Sequence, residues 1–246
     1  MSKEVLLSIE NLSVSYGPIQ ALKGLSLQVN KGEVVALLGA NGAGKTTLLQ
    51  TISGLLKPTN GNVLYQNQDM VGLGTEQIVT KNLVHVPEHR QVFTTLNVLD
   101  NLYLGSFHHY KNSGKKEVEK DIERIFKLFP ILSERKLQLA GTLSGGQQQM
   151  LAIARGVMAK PNLLLLDEPT LGLAPIVAKE VLELVRHLRD EFGTTVLLIE
   201  QNVFSSLKIA NRAYVISHGE IVKSGSAEAL LNDKEIKEAY LGQSVN

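Results

Sequence analysis

The chain has 246 residues, of which 43% are hydrophobic and 20% are charged, as in globular proteins that bury a core. Its formal net charge of +1 creates no basic field, so nucleic acid is not expected as a partner. The absence of cysteine excludes disulfides and thiolate metal sites. No apolar run reaches the roughly 18 residues of a membrane-spanning helix, so any membrane attachment is expected to depend on another protein.

The first third of the sequence predicts short strands. Residues 5–9 and 25–29 are apolar segments bounded by turn residues, with Tyr16-Gly17-Pro18 between them. Residues 33–38 predict a buried strand that runs into a glycine-rich turn, and residues 45–53 predict the helix that follows. Another strand is predicted near residues 63–65.

The middle of the chain differs from what precedes and follows it. Residues 96–159 have a helical pattern, and strands return at residues 163–166 and 196–199 on either side of a helix over residues 177–189. Strands that alternate with helices favour an α/β fold whose mostly parallel sheet is covered on both faces. The helical section is then predicted to be an inserted subdomain.

A phosphate-binding motif lies between the predicted strand and helix of the first third. The pattern G-x-x-x-x-G-K-[ST] matches Gly39-Ala40-Asn41-Gly42-Ala43-Gly44-Lys45-Thr46 in full. The glycines let successive backbone N–H groups point inward, and the helix N-terminus adds its positive dipole end. Lys45 can reach the outer phosphates, while the Thr46 hydroxyl suits Mg²⁺. With Thr47, these residues are the predicted ATP site.

Two adjacent acids follow the strand at residues 163–166. Their place at the C-terminal edge of a parallel sheet is where α/β proteins bind ligands. We expect Asp167 to hold Mg²⁺ through water and Glu168 to polarise the attacking water. Two acids after a strand can also begin a helix, but the phosphate loop makes the catalytic interpretation the stronger one.

A second anion-binding device lies at Leu143-Ser144-Gly145-Gly146-Gln147, at the start of a helix predicted to reach Ala159. The two glycines leave backbone N–H groups exposed beside the helix N-terminus. Ser-Gly before a helix is also common capping chemistry. The presence of two phosphate-binding motifs in one chain nevertheless favours a specific family within the P-loop proteins.

This five-residue string resembles the signature of the ABC ATPases, and the resemblance extends from Leu6 to about Gly225. It implies a P-loop NTPase (RecA-like) core with a mostly parallel sheet and an antiparallel β subdomain, over residues 1–90 and 160–225. It also implies a helical subdomain over residues 91–159 and a helical tail over residues 226–246. In this family two domains pair head to tail, and each signature closes over the partner's ATP. By the same resemblance Tyr16 stacks on adenine, its alternative being an ordinary edge-strand aromatic.

Two positions depart from the general family pattern. Where the family has a glutamine that contacts Mg²⁺ and faces the membrane subunit, this chain has Glu88, which can ligate Mg²⁺ but adds negative charge. Where the family has a histidine that contacts the γ-phosphate, this chain has Gln201, which can donate a hydrogen bond but cannot titrate. Both differences bear on hydrolysis, so a regulatory ATP-binding module with weak turnover is an alternative.

The departures themselves resemble the LivF-type subunits of branched-chain amino acid importers. The similar strings are Val86-Pro87-Glu88 with Arg90, Thr170-Leu171-Gly172-Leu173-Ala174-Pro175, Glu200-Gln201-Asn202 and the ending Ala239-Tyr240-Leu241-Gly242. The resemblance implies a heterodimer with a second ABC ATPase, bound to two membrane-spanning permeases at the cytoplasmic face of the membrane. A periplasmic or extracellular binding protein would act indirectly. A urea-importer ATPase is similar enough to compete.

Two further expectations follow from the resemblance. The family places its contact with the membrane subunit near residues 88–99, where Phe93 is the candidate anchor and a core aromatic is the alternative interpretation. A soluble ABC ATPase that acts on ribosomes or DNA is a weaker alternative, because this chain has one ATPase unit and no sustained heptad run.

Overall fold

The computed structural model describes residues 4–241. Residues 242–246, with Gly242 of the family-like ending, lie outside the described part. The strands are β1 (Val5–Tyr16), β2 (Ile19–Asn30), β3 (Val34–Leu38), β4 (Asn60–Tyr65), β5 (Gln68–Asp69), β6 (Leu83–Val86), β7 (Leu163–Asp167), β8 (Thr195–Glu200), β9 (Arg212–Ser217) and β10 (Glu220–Ser226). The helices are α1 (Lys45–Ile52), α2 (Thr75–Val79), α3 (Val98–Gly105), α4 (Phe107–Leu128), α5 (Pro130–Glu134), α6 (Gly145–Met158), α7 (Pro175–Phe192), α8 (Val203–Ile209), α9 (Ala227–Asn232) and α10 (Lys234–Leu241).

A six-stranded sheet forms the centre, in the order β10-β9-β3-β8-β7-β6, with every pair parallel except β10 and β9. Successive side chains of a strand point to opposite faces. Leu163 and Leu165 therefore join one apolar core, which the phosphate-loop helix shares. Leu164 and Leu166 join the core of the helical section. Burial on both faces explains why these strands are nearly continuous apolar runs.

The second sheet is antiparallel, in the order β2-β1-β4-β5. Its first two strands run far beyond the predicted residues 5–9 and 25–29. The prediction ended them too early because polar residues and glycine inside them resemble turns. The structure absorbs these residues as irregularities in register, where the Ser26 hydroxyl accepts from the backbone N–H of Asn11 and the Ser13 hydroxyl from that of Gly24.

Helices occupy most of the chain between residues 98 and 158, with a loop containing a short 3-10 turn at Ala140–Thr142 before α6. The hairpin of β9 and β10 was not predicted. In its turn, His218 and Gly219 have left-handed backbone conformations. These two residues were not recognised as a hairpin turn from the sequence. Across residues 4–241, no helix combines the length and apolar character needed to cross a membrane. The division into subdomains stays a prediction.

Candidate ATP site and signature motif

The phosphate loop follows β3 and enters α1 at Lys45. Two of its glycines are required by geometry. A Cβ atom on Gly39 would lie 2.5 Å from the carbonyl oxygen of Ile216, because the loop passes close to β9. Gly44 has φ of 108°, a conformation that L side chains rarely adopt, and a Cβ there would lie 2.8 Å from Leu22. The loop is thus held tightly between α1 and its neighbouring strands.

Lys45 is buried and its charge is already compensated within the chain. Its Nζ lies 3.0 Å from Glu168 Oε1 and donates to the carbonyl oxygens of Gly39, at 2.8 Å, and Ala40, at 3.1 Å. The ammonium group therefore joins the loop to the carboxylate that follows β7. These oxygens occupy the ammonium in the way that phosphate oxygens would.

Most of the remaining predicted phosphate-loop residues line an accessible surface. Ala40, Asn41 and Gly42 are exposed, Ala43 is buried, and Gly44, Thr46 and Thr47 are half-buried. Tyr16 ends β1 and is 47% exposed, with its hydroxyl 3.4 Å from Thr47 Oγ1. The structure thus brings an accessible aromatic ring next to the first turn of α1.

Asp167 ends β7 and lies 3.4 Å, between carboxylate and hydroxyl oxygens, from Thr46 Oγ1. Burial raises the pKa of Asp167 to about 6, the Thr46 hydrogen bond opposes that rise, and the nearby Glu168 and Glu88 carboxylates add to it. A buried acid with incomplete compensation suits a cation. Among residues 4–241, no cluster of three or more His, Cys, Asp or Glu side chains could hold a metal alone. A site with few protein oxygens beside bound phosphates fits Mg²⁺, because this ion is usually held by one or two carboxylates together with phosphates and water.

Glu88 lies just after β6, which pairs with β7. Its carboxylate charge contributes to the rise in the pKa of Asp167. The loop that follows has an unusual backbone, with His89, Arg90 and Gln91 all at positive φ. Gln201 is exposed and follows β8, which lies between β3 and β7. The ends of β3, β8, β7 and β6 are therefore side by side, and they bring all the predicted catalytic and metal-binding residues to one sheet edge.

The signature forms the start of α6. Ser144 is the N-cap: its hydroxyl accepts from the backbone N–H of Gln147 at 3.4 Å, and its own N–H donates to Gln147 Oε1 at 3.0 Å. This is a capping box. Leu143 is buried in the helical core, whereas Ser144 is exposed. A Cβ on Gly146 would lie 2.4 Å from Val177 Cγ1, so α6 lies close to α7 there.

The loop after β6 contacts α6 through two arginines. The guanidinium of Arg90 lies over Gly145, where an added Cβ would be 2.9 Å from its nearest nitrogen. Arg155 of α6 donates to the carbonyl oxygen of Gln91 at 2.8 Å and stacks over Phe93, 5.1 Å from the ring centre. Phe93 is half-exposed and so is not a core aromatic.

One buried acid at this edge was not predicted to have a role. Glu200 is 3% exposed at the end of β8, and its Oε1 accepts from the backbone N–H of Thr170 at 3.0 Å. Burial raises its pKa to about 7, against the opposing Thr170 hydrogen bonds. The signal in the sequence is an acid that ends an apolar strand, Thr195-Val196-Leu197-Leu198-Ile199-Glu200.

Comparison with known proteins identifies the family. The family described as ABC transporter matches residues 22–171. The chain belongs to this family. It is 47% identical over 237 residues to the high-affinity branched-chain amino acid transport ATP-binding protein BraG of Pseudomonas aeruginosa, which covers 96% of this chain and 100% of BraG. It is 32% identical to LivG of Escherichia coli, of the same printed description, over 97% of this chain and 98% of LivG.

Solved structures agree with the family on the fold. The ADP conformation of MJ1267, an ATP-binding cassette of an ABC transporter, superposes with a TM-score of 0.85 at 30% identity, covering 97% of this chain and 99% of that one. A dimeric structure of MJ0796, a bacterial ABC transporter cassette, gives 0.81 at 26% identity, over 90% and 99%. The predicted ABC ATPase fold is confirmed. Family and fold imply ATP binding and hydrolysis by a subunit that dimerises and works with membrane permeases.

Proposed function

We propose that this chain is the ATP-hydrolysing subunit of an importer of branched-chain amino acids. The observation that carries the hydrolytic part is the sheet edge where Lys45 lies 3.0 Å from Glu168 and Thr46 lies 3.4 Å from Asp167. This arrangement supports the proposed roles of Lys45 as phosphate ligand, Glu168 as the carboxylate that orients water, and Thr46 with Asp167 as metal ligands. Phosphoryl transfer depends mainly on such positioning and charge stabilisation.

The proposal that the transported substrate is a branched-chain amino acid rests on the degree of sequence identity to relatives. At 32% identity the chain is as similar to LivG as to the lipopolysaccharide export ATP-binding protein LptB of Haemophilus influenzae. Likeness at that level therefore does not distinguish cargoes. The 47% identity to BraG, over nearly the whole of both chains, is what supports branched-chain amino acids.

In the proposed reaction Lys45 exchanges its carbonyl and carboxylate contacts for phosphate oxygens. Glu168, released from Lys45, accepts a hydrogen bond from water and orients it toward the γ-phosphate. Gln201 donates its amide N–H to the γ-phosphate, and Tyr16 covers the adenine. Thr46, Asp167 and Glu88 would hold Mg²⁺, which would neutralise charge at the phosphates.

The signature is proposed to act on ATP held by a second subunit. Ser144 is exposed and the hydrogen bonds of its hydroxyl and N–H stay within α6, which leaves the N-terminal turn of the helix open to an anion. We infer a heterodimer with a second ABC ATPase, as the resemblance to LivF-type subunits implies. The pair would bind two permeases at the cytoplasmic face of the membrane, with Phe93 in the contact surface.

Uptake of radiolabelled leucine tests the cargo, in cells that lack the gene and receive it back as wild type, Lys45→Ala or Lys57→Ala. Lys57 is an exposed residue and serves as the control. Wild type and Lys57→Ala should restore uptake, whereas Lys45→Ala should not. Restoration of urea uptake with leucine uptake unchanged would assign the chain to the urea branch instead.

A further inference from the structure

The position of Glu200 disfavours the charged form of its carboxyl group. Its side chain is almost fully buried, and Glu168, a second acid close to it, further disfavours its charged form. A buried carboxylate beside another carboxylate is unfavourable unless hydrogen bonds compensate for lost hydration. Its side chain accepts from the backbone N–H of Thr170, and hydrogen bonds from the Thr170 side chain and the Gln201 backbone also oppose the rise in its pKa. We therefore ask what the contact with Glu200 does for the segment that contains Thr170.

Two hydrogen bonds attach the segment after β7 to the end of β8. The N–H of Glu168 donates to the carbonyl oxygen of Ile199 at 3.0 Å, and the N–H of Thr170 donates to Glu200 Oε1 at 3.0 Å. Between these anchors the backbone of Glu168 has φ of 44°. Residues other than glycine adopt that conformation infrequently, and contacts with the surroundings help to hold it. Glu200 supplies one of the contacts that hold this segment, beside the turn hydrogen bond from the Leu171 N–H to the Glu168 carbonyl oxygen at 3.1 Å.

We propose that Glu200 is a positioning residue for ATP hydrolysis, whose carboxylate fixes Thr170 and so holds Glu168 in place to orient water. This inference rests on the proposed function, in which Glu168 has that role. Without the Thr170 anchor, the Glu168 backbone can relax and its carboxylate moves away from the attacking water. Nucleotide binding by the phosphate loop does not use this contact, so turnover is affected and ATP affinity is not.

Three substitutions separate a hydrogen-bonding role from a charge role. Glu200→Gln keeps an acceptor oxygen at the same reach and removes the charge. Glu200→Asp keeps the charge but withdraws the oxygen by one methylene. Positioning therefore predicts that Gln retains more activity than Asp, whereas an electrostatic role predicts the reverse order. Glu200→Ala removes both.

Glu33 provides a buried-acid control, because its Oε1 accepts from the backbone N–H of Asn30 at 2.7 Å. Its Oε1 also lies 3.2 Å from the Arg212 guanidinium, an ion pair that has no counterpart at Glu200 among the described salt bridges. Glu33 precedes β3, whereas the phosphate loop follows that strand. Substitution of Glu33 by Gln or Ala should cost stability without a selective effect on turnover.

The experiment measures kcat and KM for ATP in the assembled transporter for each Glu200 variant and its Glu33 counterpart. We expect Glu200→Gln within about 3-fold of wild-type kcat, and Glu200→Asp and Glu200→Ala lower by about 10- to 100-fold, with KM unchanged within about 2-fold. Asp at or above the Gln rate, or losses no greater than in the Glu33 variants, would overturn the inference. If Glu200→Ala does not fold, the order of Gln and Asp decides. Absence of turnover in the wild type would instead contradict the proposed function.

Discussion

The phosphate loop and the signature are the two proposed phosphate-binding regions of this chain. They differ in the polar contacts that the chain itself makes with Lys45 and with Ser144. At the sheet edge, Lys45 is buried and already bound to Glu168 and two carbonyl oxygens. At the start of α6, Ser144 is exposed and bonded within its own helix. In the first region the charges are compensated within one chain, with the Glu168 carboxylate beside Lys45. The second is an open helix N-terminus, which suits a ligand brought by another molecule.

The largest expected effect comes from removing the cation at the sheet edge. Lys45→Ala deletes a phosphate ligand and leaves Glu168 buried without its partner. We expect ATP turnover to fall by more than about 100-fold, with no comparable loss in Lys57→Ala. Steady-state phosphate release measures both. Wild-type turnover in Lys45→Ala would remove the sheet edge as the catalytic site.

Glu168→Gln separates the two regions by halting chemistry at one while leaving the other intact. We expect turnover to fall by about 10²–10⁴-fold, because the amide cannot act as the carboxylate does. ATP binding should persist, so the signature can still close on bound ATP and trap a dimer. Light scattering of the variant mixed with the second ATP-binding subunit, with and without ATP, measures the mass. A monomeric variant with ATP bound would contradict the head-to-tail interpretation of the signature.

The sheet edge should also have a pH dependence of stability. Burial raises the pKa of Glu200 to about 7, so between its ordinary value of 4.5 and 7 the folded state holds a proton that the unfolded state releases. Stability therefore falls as the pH rises through that window, by an amount on the order of 3 kcal/mol for this group. Asp167 acts in the same direction up to about pH 6.

Glu200→Gln removes the Glu200 contribution. We expect the variant to gain free energy of unfolding over wild type between pH 5 and pH 8, as measured by urea denaturation without nucleotide. Identical pH dependence in the two proteins would mean that Glu200 is not buried as described. Glu33→Gln serves as the comparison.

The smallest expected effect distinguishes the two glycines of the signature. An added methyl at Gly146 meets Val177 Cγ1 at 2.4 Å, and this stiff side chain must move, which costs about 1–3 kcal/mol. At Gly145 the nearest atoms are the end of the flexible Arg90 side chain, so Gly145→Ala should cost less. Denaturant unfolding ranks the two variants. Equal stabilities would indicate that α6 and α7 are less closely packed than the structure shows.

The sequence predicted the parts of the site that depend on local motifs. The phosphate loop could be placed because a strand, a glycine-rich turn and a helix follow one another within a few residues. Asp167 and Glu168 could be placed because they directly follow a predicted apolar strand. The Lys45–Glu168 pair could not, because its distance depends on the strand order β3-β8-β7. Glu200 and the Arg90 contact with Gly145 arise from packing between segments distant in sequence. The lengths of β1 and β2 were missed for a similar reason, since pairing overrides residues typical of turns.

The most direct test of the account is steady-state ATP hydrolysis by the purified chain, alone and mixed with the second ATP-binding subunit of its transporter. The account predicts strong stimulation on mixing, lost when this chain carries Glu168→Gln, because the partner must supply a signature to an otherwise complete site. Equal activity alone would replace the heterodimer with a homodimer. ATP binding without turnover in either setting would contradict the account and assign the chain a regulatory role.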